Sequence, residues 1–253
     1  MSGKNVGTWH QIEVWFSTGS NFTGQGGVVD RLGQHASISV EVMAIGAVVA
    51  IPLAVALAQL PRGGVVVTSI ANAARAVPIL GVLILLAAGA LGVGRTSAVV
   101  ALVIFAIPPM LTNTYTGIRG VSPDARAAAI GMGMTRLQLI RRVELPLAIP
   151  LIATGVRLAA VQVWATATLA AIIGSGGLGQ FVVDGYSVGD YGEVYGGVVV
   201  VVVTALLLDG VLGWLEGLLS RRYGDTSSST ATRRGRRGNT NSTTDNGRVS
   251  VPA

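Results

Sequence analysis

The sequence predicts an all-α integral membrane protein with about five transmembrane helices and a cytoplasmic loop that carries a short helix of its own. Three observations predict it. Hydrophobic residues make up 51% of the 253 positions and charged residues only 12%, about half the charged share of an average soluble domain. Five apolar stretches approach the roughly 20 helical residues that a bilayer core of about 30 Å requires. The basic residues are clustered, with seven of the eighteen at or after Arg221 and five more between Arg119 and Arg142. Membrane proteins fix their orientation by such an asymmetry.

The spans follow in order. The first covers residues 37–60, with Glu41 near one end and Pro52 inside. The second, 65–91, is interrupted by Asn72, Arg75 and Pro78, and the third, 96–111, is short and carries Pro108 and Pro109. The fourth covers 147–173. The fifth, 196–219, opens on six consecutive valines, Val198 to Val203, which in water would read as a strand. In hydrocarbon an open strand leaves its backbone groups unpaired, so the helix prevails. The domain organisation is then an extracytoplasmic N-terminal segment at 1–36, a transmembrane domain at 37–222 with its main loop at about 117–146, and a disordered cytoplasmic tail at 223–253 rich in Ser, Thr, Asn, Gly and Arg.

Orientation follows from charge. Residues 174–195 contain no Lys or Arg but hold Asp184, Asp190 and Glu193, so this segment and the N-terminus are expected outside, and the arginine-rich loop and C-terminus in the cytoplasm. Arg62 agrees and Arg95 runs against it. The opening "MSGKNVGTWHQIEVWF" has no apolar core of signal-peptide length, so the first span is expected to direct insertion. The tail arginines either touch anionic lipid or serve only to fix topology. No basic stripe with interleaved aromatics is present, which argues against nucleic acid as a partner.

The loop at 122–150, "SPDARAAAIGMGMTRLQLIRRVELPLAIP", contains a helix start. Ser122 can cap it, Pro123 fits the first helical position, and Asp124 opposes the helix dipole. The helix runs through Ala127, Ala128 and Ala129 to Ile130, and Gly131 or Gly133 can end it in a left-handed conformation. Three alanines between glycines suit close approach by another surface; a linker of high helix propensity is the alternative.

This loop resembles that of the permease subunits of binding-protein-dependent ABC importers, patterned Glu-Ala-Ala, three residues, Gly, nine residues, then Ile-x-Leu-Pro. Ala128-Ala129, Gly133 and "VELP" ending at Pro146 fall at that spacing, with Ala127 where the family has Glu. From about Gln34 to Arg222, "LTNTYTGIRGV", "GMGMTRLQL", "VQVWATATLAAIIGSGGLG" and "LLLDGVLGWLEGLL" look like the glycine betaine, choline, carnitine and proline branch. The resemblance implies the type I ABC importer permease fold in a bacterial plasma membrane. It also implies a second permease subunit, identical or related, and an extracytoplasmic substrate-binding protein. A cytoplasmic ABC ATPase dimer would bind ATP and Mg and receive the loop helix through Asp124, Ala127, Ala128, Ala129, Gly131, Gly133 and Pro146.

The inventory of reactive residues fits that division of labour. There is no "GxxxxGK[ST]" phosphate loop, and Lys4 is the only lysine, so no nucleotide cofactor and no ATPase activity are expected in this chain. Cysteine is absent, which excludes disulfides and thiolate metal sites, and His10 and His35 precede the long apolar runs and read as solvated. Ser175 in "GSGG" reads as a turn residue rather than a nucleophile. An ion-coupled secondary transporter would be expected to show an internal repeat and midplane carboxylates, and no repeat is evident.

Ionisable and polar groups inside spans are candidates for function. Arg75, three residues before Pro78, reads either as a pathway residue at a broken helix or as a snorkelling arginine near the cytoplasmic end. Arg157 and Asp209 can offset each other's burial as a pair. Trp164, flanked by Gln162 and Thr166, is the pathway candidate with an aromatic face for a methylammonium group; a packed or lipid-facing indole is its alternative.

Overall fold

The computed structural model describes residues 7–89 and 91–223, so the tail expected at 223–253 lies, from 224 onward, outside the described residues. Among the described residues every regular element is helical. Helix α1 (Thr8–Ser17) precedes α2 (Val28–Ala58), α3 (Gly63–Ala76), α4 (Ile79–Ala88) and α5 (Arg95–Arg119). Then come α6 (Pro123–Gly131), α7 (Arg136–Leu139), α8 (Leu145–Ala167), α9 (Gln180–Val188) and α10 (Tyr191–Tyr223). Among the described residues four helices are long and apolar enough to cross a membrane, and the pair α3–α4, bent by 79°, makes a fifth if counted as one broken span.

The break falls where Pro78 predicts it. Proline disfavours the helical region for the residue before it, and Val77 is accordingly extended at φ −89° and ψ 123°.

Boundaries differ from the sequence expectation in four spans, the fourth leaving α-helical form at Ala167 for a 3₁₀ turn at Leu169–Ile173. The first span begins at Val28 rather than Ser37, because Asp30, Arg31, Gln34 and His35 are satisfied by protein. Arg31 pairs with Asp184 at 2.8 Å, Gln34 accepts from the Gly177 amide at 3.0 Å, and the His35 ring bonds the Trp164 carbonyl at 3.0 Å. His35 is therefore buried, not solvated. At Asp184, burial raises the carboxyl's pKa, but hydrogen bonds from Arg31 and Gln180 outweigh it and hold the group below its ordinary value. This pair is therefore intact at neutral pH and is lost only as pH falls through that lowered value.

The third span extends past Leu111 to Arg119, straight through Pro108 and Pro109. A proline removes the amide that would bond the carbonyl four residues back, so Pro109 orphans the Phe105 carbonyl. The Gln162 side-chain amide donates to that carbonyl at 3.3 Å, as freed backbone groups in hydrocarbon require. The fifth span begins at Tyr191 rather than Gly196, and its valines are helical throughout.

The core lies between α2, α5 and α8 and is built from small residues. Ala50, Ala54, Ala98, Ala101, Ala106 and Ala159 are all fully buried. Lipid gives no hydrophobic drive between helices, so close van der Waals packing holds them. A Cβ on Gly155 would lie 2.7 Å from the Asn113 Cβ and 3.1 Å from the Pro109 carbonyl oxygen, which fixes how near α8 comes to α5. On the other flank α1 seats Trp15 against Gly196 and Phe181, joining the N-terminal segment to α9 and α10.

Candidate functional site

Two regions collect the residues singled out by sequence. The first is the loop helix. Ser122 caps α6 by accepting from the Ala125 amide at 3.1 Å, and Asp124 lies in the first turn. Ala127 and Ala128 are exposed along with Asp124, whereas Ala129 is 1% exposed and faces the protein. The two glycines have different roles. Gly131 is the last helical residue, and Gly133 takes the left-handed conformation at φ +79°. Just beyond, Thr135 and Gln138 cap α7 reciprocally. Pro146 sits in the first turn of α8, half-buried.

What holds this outward-facing helix is a contact that sequence reading missed. The chain from α7 into α8 passes through a π turn, Ile140–Glu144. The turn ends on Glu144, a carboxylate only 3% exposed. Its Oε1 lies 2.9 Å from the Arg126 Nε, an ion pair whose N–H is not aimed along the line. Its Oε2 accepts from the Gln59 amide at 2.8 Å. Arg126 also donates to the Ile118 carbonyl, and Arg136 reaches the Gln59 carbonyl at 3.3 Å. One buried acid thus ties the loop helix to the ends of α2, α5 and α8. Its signal in the sequence is a lone carboxylate, in "VELP", within an otherwise apolar stretch.

The second region is a groove of about 450 Å³ at the α3–α4 break. Arg75, Gln162 and Thr166 line it together, with Phe105, Pro109 and Asn113 across from them on α5. Gln162 and Thr166 are four residues apart and share a face of α8, and the Thr166 hydroxyl donates to the Gln162 carbonyl at 2.7 Å. Trp164 does not join them. Two residues along a helix turns a side chain about 200° away, and Trp164 is buried on the opposite face. There its indole N–H donates to Thr204 at 3.2 Å and its ring meets His35 edge-on. A larger cavity of about 830 Å³ opens between α1, α9 and the start of α10, and holds none of the residues predicted for coupling or pathway.

The structure also brings Arg157 to Asp209, with a third partner that sequence reading did not name. Arg157 forms a two-pronged contact to Asp209 at 2.8 and 3.1 Å and reaches Glu216 at 2.9 Å. Gly213 makes room for it, since a Cβ there would lie 2.9 Å from the guanidinium carbon. These groups join α8 to α10 and lie outside the groove lining.

Comparison with known proteins agrees with this architecture. Residues 44–225 match the family described as binding-protein-dependent transport system inner membrane component. The chain is 38% identical over 194 residues to the glycine betaine/carnitine/choline transport system permease protein OpuCB of Bacillus subtilis (strain 168), covering 77% of this chain and 89% of that protein. It is 40% identical over 183 residues to the carnitine transport permease protein OpuCB of Listeria monocytogenes, covering 72% and 84%. Among solved structures, a chain of the inward-facing MetNI methionine ABC transporter superposes with a TM-score of 0.66 at 20% identity, covering 76% of this chain and 95% of that one. This last likeness concerns the fold, which is that of ABC importer permeases. The chain belongs to the family of binding-protein-dependent transport system inner membrane components.

Proposed function

We propose that this chain is the transmembrane permease subunit of an ATP-driven importer of compact osmoprotectants: glycine betaine, choline, carnitine or proline. It forms half of the translocation pathway beside a second permease subunit, receives solute from an extracytoplasmic binding protein, and leaves ATP and Mg to a separate cytoplasmic ATPase dimer. The observation that carries this reading is α6. A helix that exposes Ala127, Ala128 and Gly131 beside Asp124 and Ile130, fixed from behind by Arg126 and Glu144, is a docking surface with small residues at its centre, mounted on three spanning helices. The relatives' names supply the solute class. Uptake into vesicles is expected to require ATP hydrolysis by the co-reconstituted ATPase. Uptake by this chain alone, driven by an ion gradient, would refute the proposal.

In this reading the α6 loop and the C-terminus face the cytoplasm and the N-terminus lies outside. Arg95, which runs against that orientation, bonds Glu41 at 2.7 and 3.0 Å. The orientation bias is a count of Lys and Arg, and the five between Arg119 and Arg142 outweigh it. Single cysteines at Ser187 and Met132, both exposed in a chain without native cysteine, are expected to react with an impermeant maleimide from outside and inside respectively. The reverse pattern would invert the topology.

A further inference from the structure

We infer that Arg75 is the carboxylate-recognising residue of the translocation groove, so that the permease itself favours zwitterions bearing a carboxylate over the cationic alcohol choline. The inference rests on the proposed import of osmoprotectants and goes beyond it by assigning a discrimination among them to this subunit.

Arg75 is the thirteenth of the 14 residues of α3. Its side chain is exposed, stands at the break between two half-helices and lines the groove. Among the described residues it has no acidic partner, whereas Arg31, Arg95, Arg126 and Arg157 each have one. Charges within a membrane pair or serve a pathway, and Arg75 is the intramembrane arginine left over.

Its surroundings complete the site. Val77 and Ile79, at the start of α4, line the same groove. Pro78 precedes that helix, whose first-turn amides and positive dipole end lie beside the arginine. Guanidinium and helix start together favour an anion, and the guanidinium fork matches both oxygens of a carboxylate. Across the groove the lining includes Phe105, an aromatic residue of the type that receives a methylated ammonium. Gln162 is a weaker candidate for this role, because it is uncharged and one of its two amide N–H groups is engaged by the Phe105 carbonyl. A choline molecule brings a positive charge to Arg75 and no carboxylate to offset it.

The test is uptake by proteoliposomes holding the complete transporter, using labelled glycine betaine, carnitine, proline and choline, with wild type and Arg75→Gln compared solute by solute. The same binding protein serves both transporters, so its own selectivity cancels in each variant-to-wild-type ratio. For the carboxylate-bearing solutes the ratio is expected to fall at least about tenfold, the scale of one lost charge-assisted hydrogen-bonded contact, while the choline ratio stays at or above one. Arg75→Lys, which keeps the charge without the fork, is expected to fall between the two and provides the comparison if Arg75→Gln does not assemble. Equal losses for all four solutes, or no loss for any, overturn the inference. So does a wild type that carries choline and none of the carboxylate-bearing compounds, although osmoprotectant import would then stand. A wild type that carries none of the four, with its ATPase intact, removes the proposed function itself.

Discussion

Arg157→Leu is expected to deplete the protein from the membrane. Arg157 is the thirteenth residue of the 23 in α8, about 18 Å from its start, and it is the only cation bonded to both Asp209 and Glu216 among the described residues. Without it two carboxylates remain on α10, a helix with little of its surface buried by protein. An unpaired acid within a spanning helix is costly. Glu216 is nearer the helix end and keeps a hydrogen bond from Thr154, so it costs less than Asp209. Arg157→Lys preserves the charge but not the two-pronged geometry and is expected to be intermediate. Replacing all three residues with leucine is expected to restore much of the loss, since apolar substitutes for an entire buried ion cluster are often tolerated. Immunoblots of membrane fractions and gel filtration of the extracted complex would measure this. Normal levels of Arg157→Leu would mean that the acids reach water or another partner, and that the contact does not hold α10 in place.

The parts legible in the sequence were those governed by chain-local rules. Span count, the break at Pro78 and the cap at Ser122 each depend on residues within a few positions of one another. Most of the failures share one cause, which is that partners distant in sequence satisfy groups that look unsatisfiable locally. Pro108 and Pro109 read as an end because nothing near them can take the Phe105 carbonyl, and the group that does so, Gln162, is 57 positions away. Arg31, Gln34 and His35 read as an exposed segment because their partners Asp184, Gly177 and Trp164 lie on α9, in the segment before it and on α8. Trp164 read as a neighbour of Gln162 and Thr166, and helical geometry sent it to the opposite face. Glu144 passed unremarked as a variable position in a motif, although its burial against Arg126 and Gln59 is what fixes the loop helix.

Ala128→Trp is expected to abolish solute-stimulated ATP hydrolysis in the reconstituted transporter while leaving membrane levels unchanged. Ala128 is exposed and Ala129 is not, so bulk at 128 meets only an incoming surface, whereas bulk at 129 would strain the loop's own packing. The glycines sharpen the test. A Cβ at Gly131 meets nothing within 4 Å and requires no unusual backbone, so Gly131→Leu adds bulk without strain and is expected to behave like Ala128→Trp. Gly133 also has open space, but its φ of +79° disfavours most side chains by about 1–2 kcal/mol. Gly133→Leu therefore combines backbone strain with bulk, while Gly133→Asn, which tolerates the left-handed region, is expected to retain most activity. Ala127→Glu adds a carboxylate at an exposed helical position next to Asp124, and glutamate is a good helix former, so it too is expected to be tolerated. Docking that depends on close approach fails by steric clash, and a loss of at least about tenfold, or roughly 1.4 kcal/mol, is the scale to look for. Full stimulated activity in both Ala128→Trp and Gly131→Leu, with activity destroyed in Ala127→Glu, would show that charge and not closeness governs this surface.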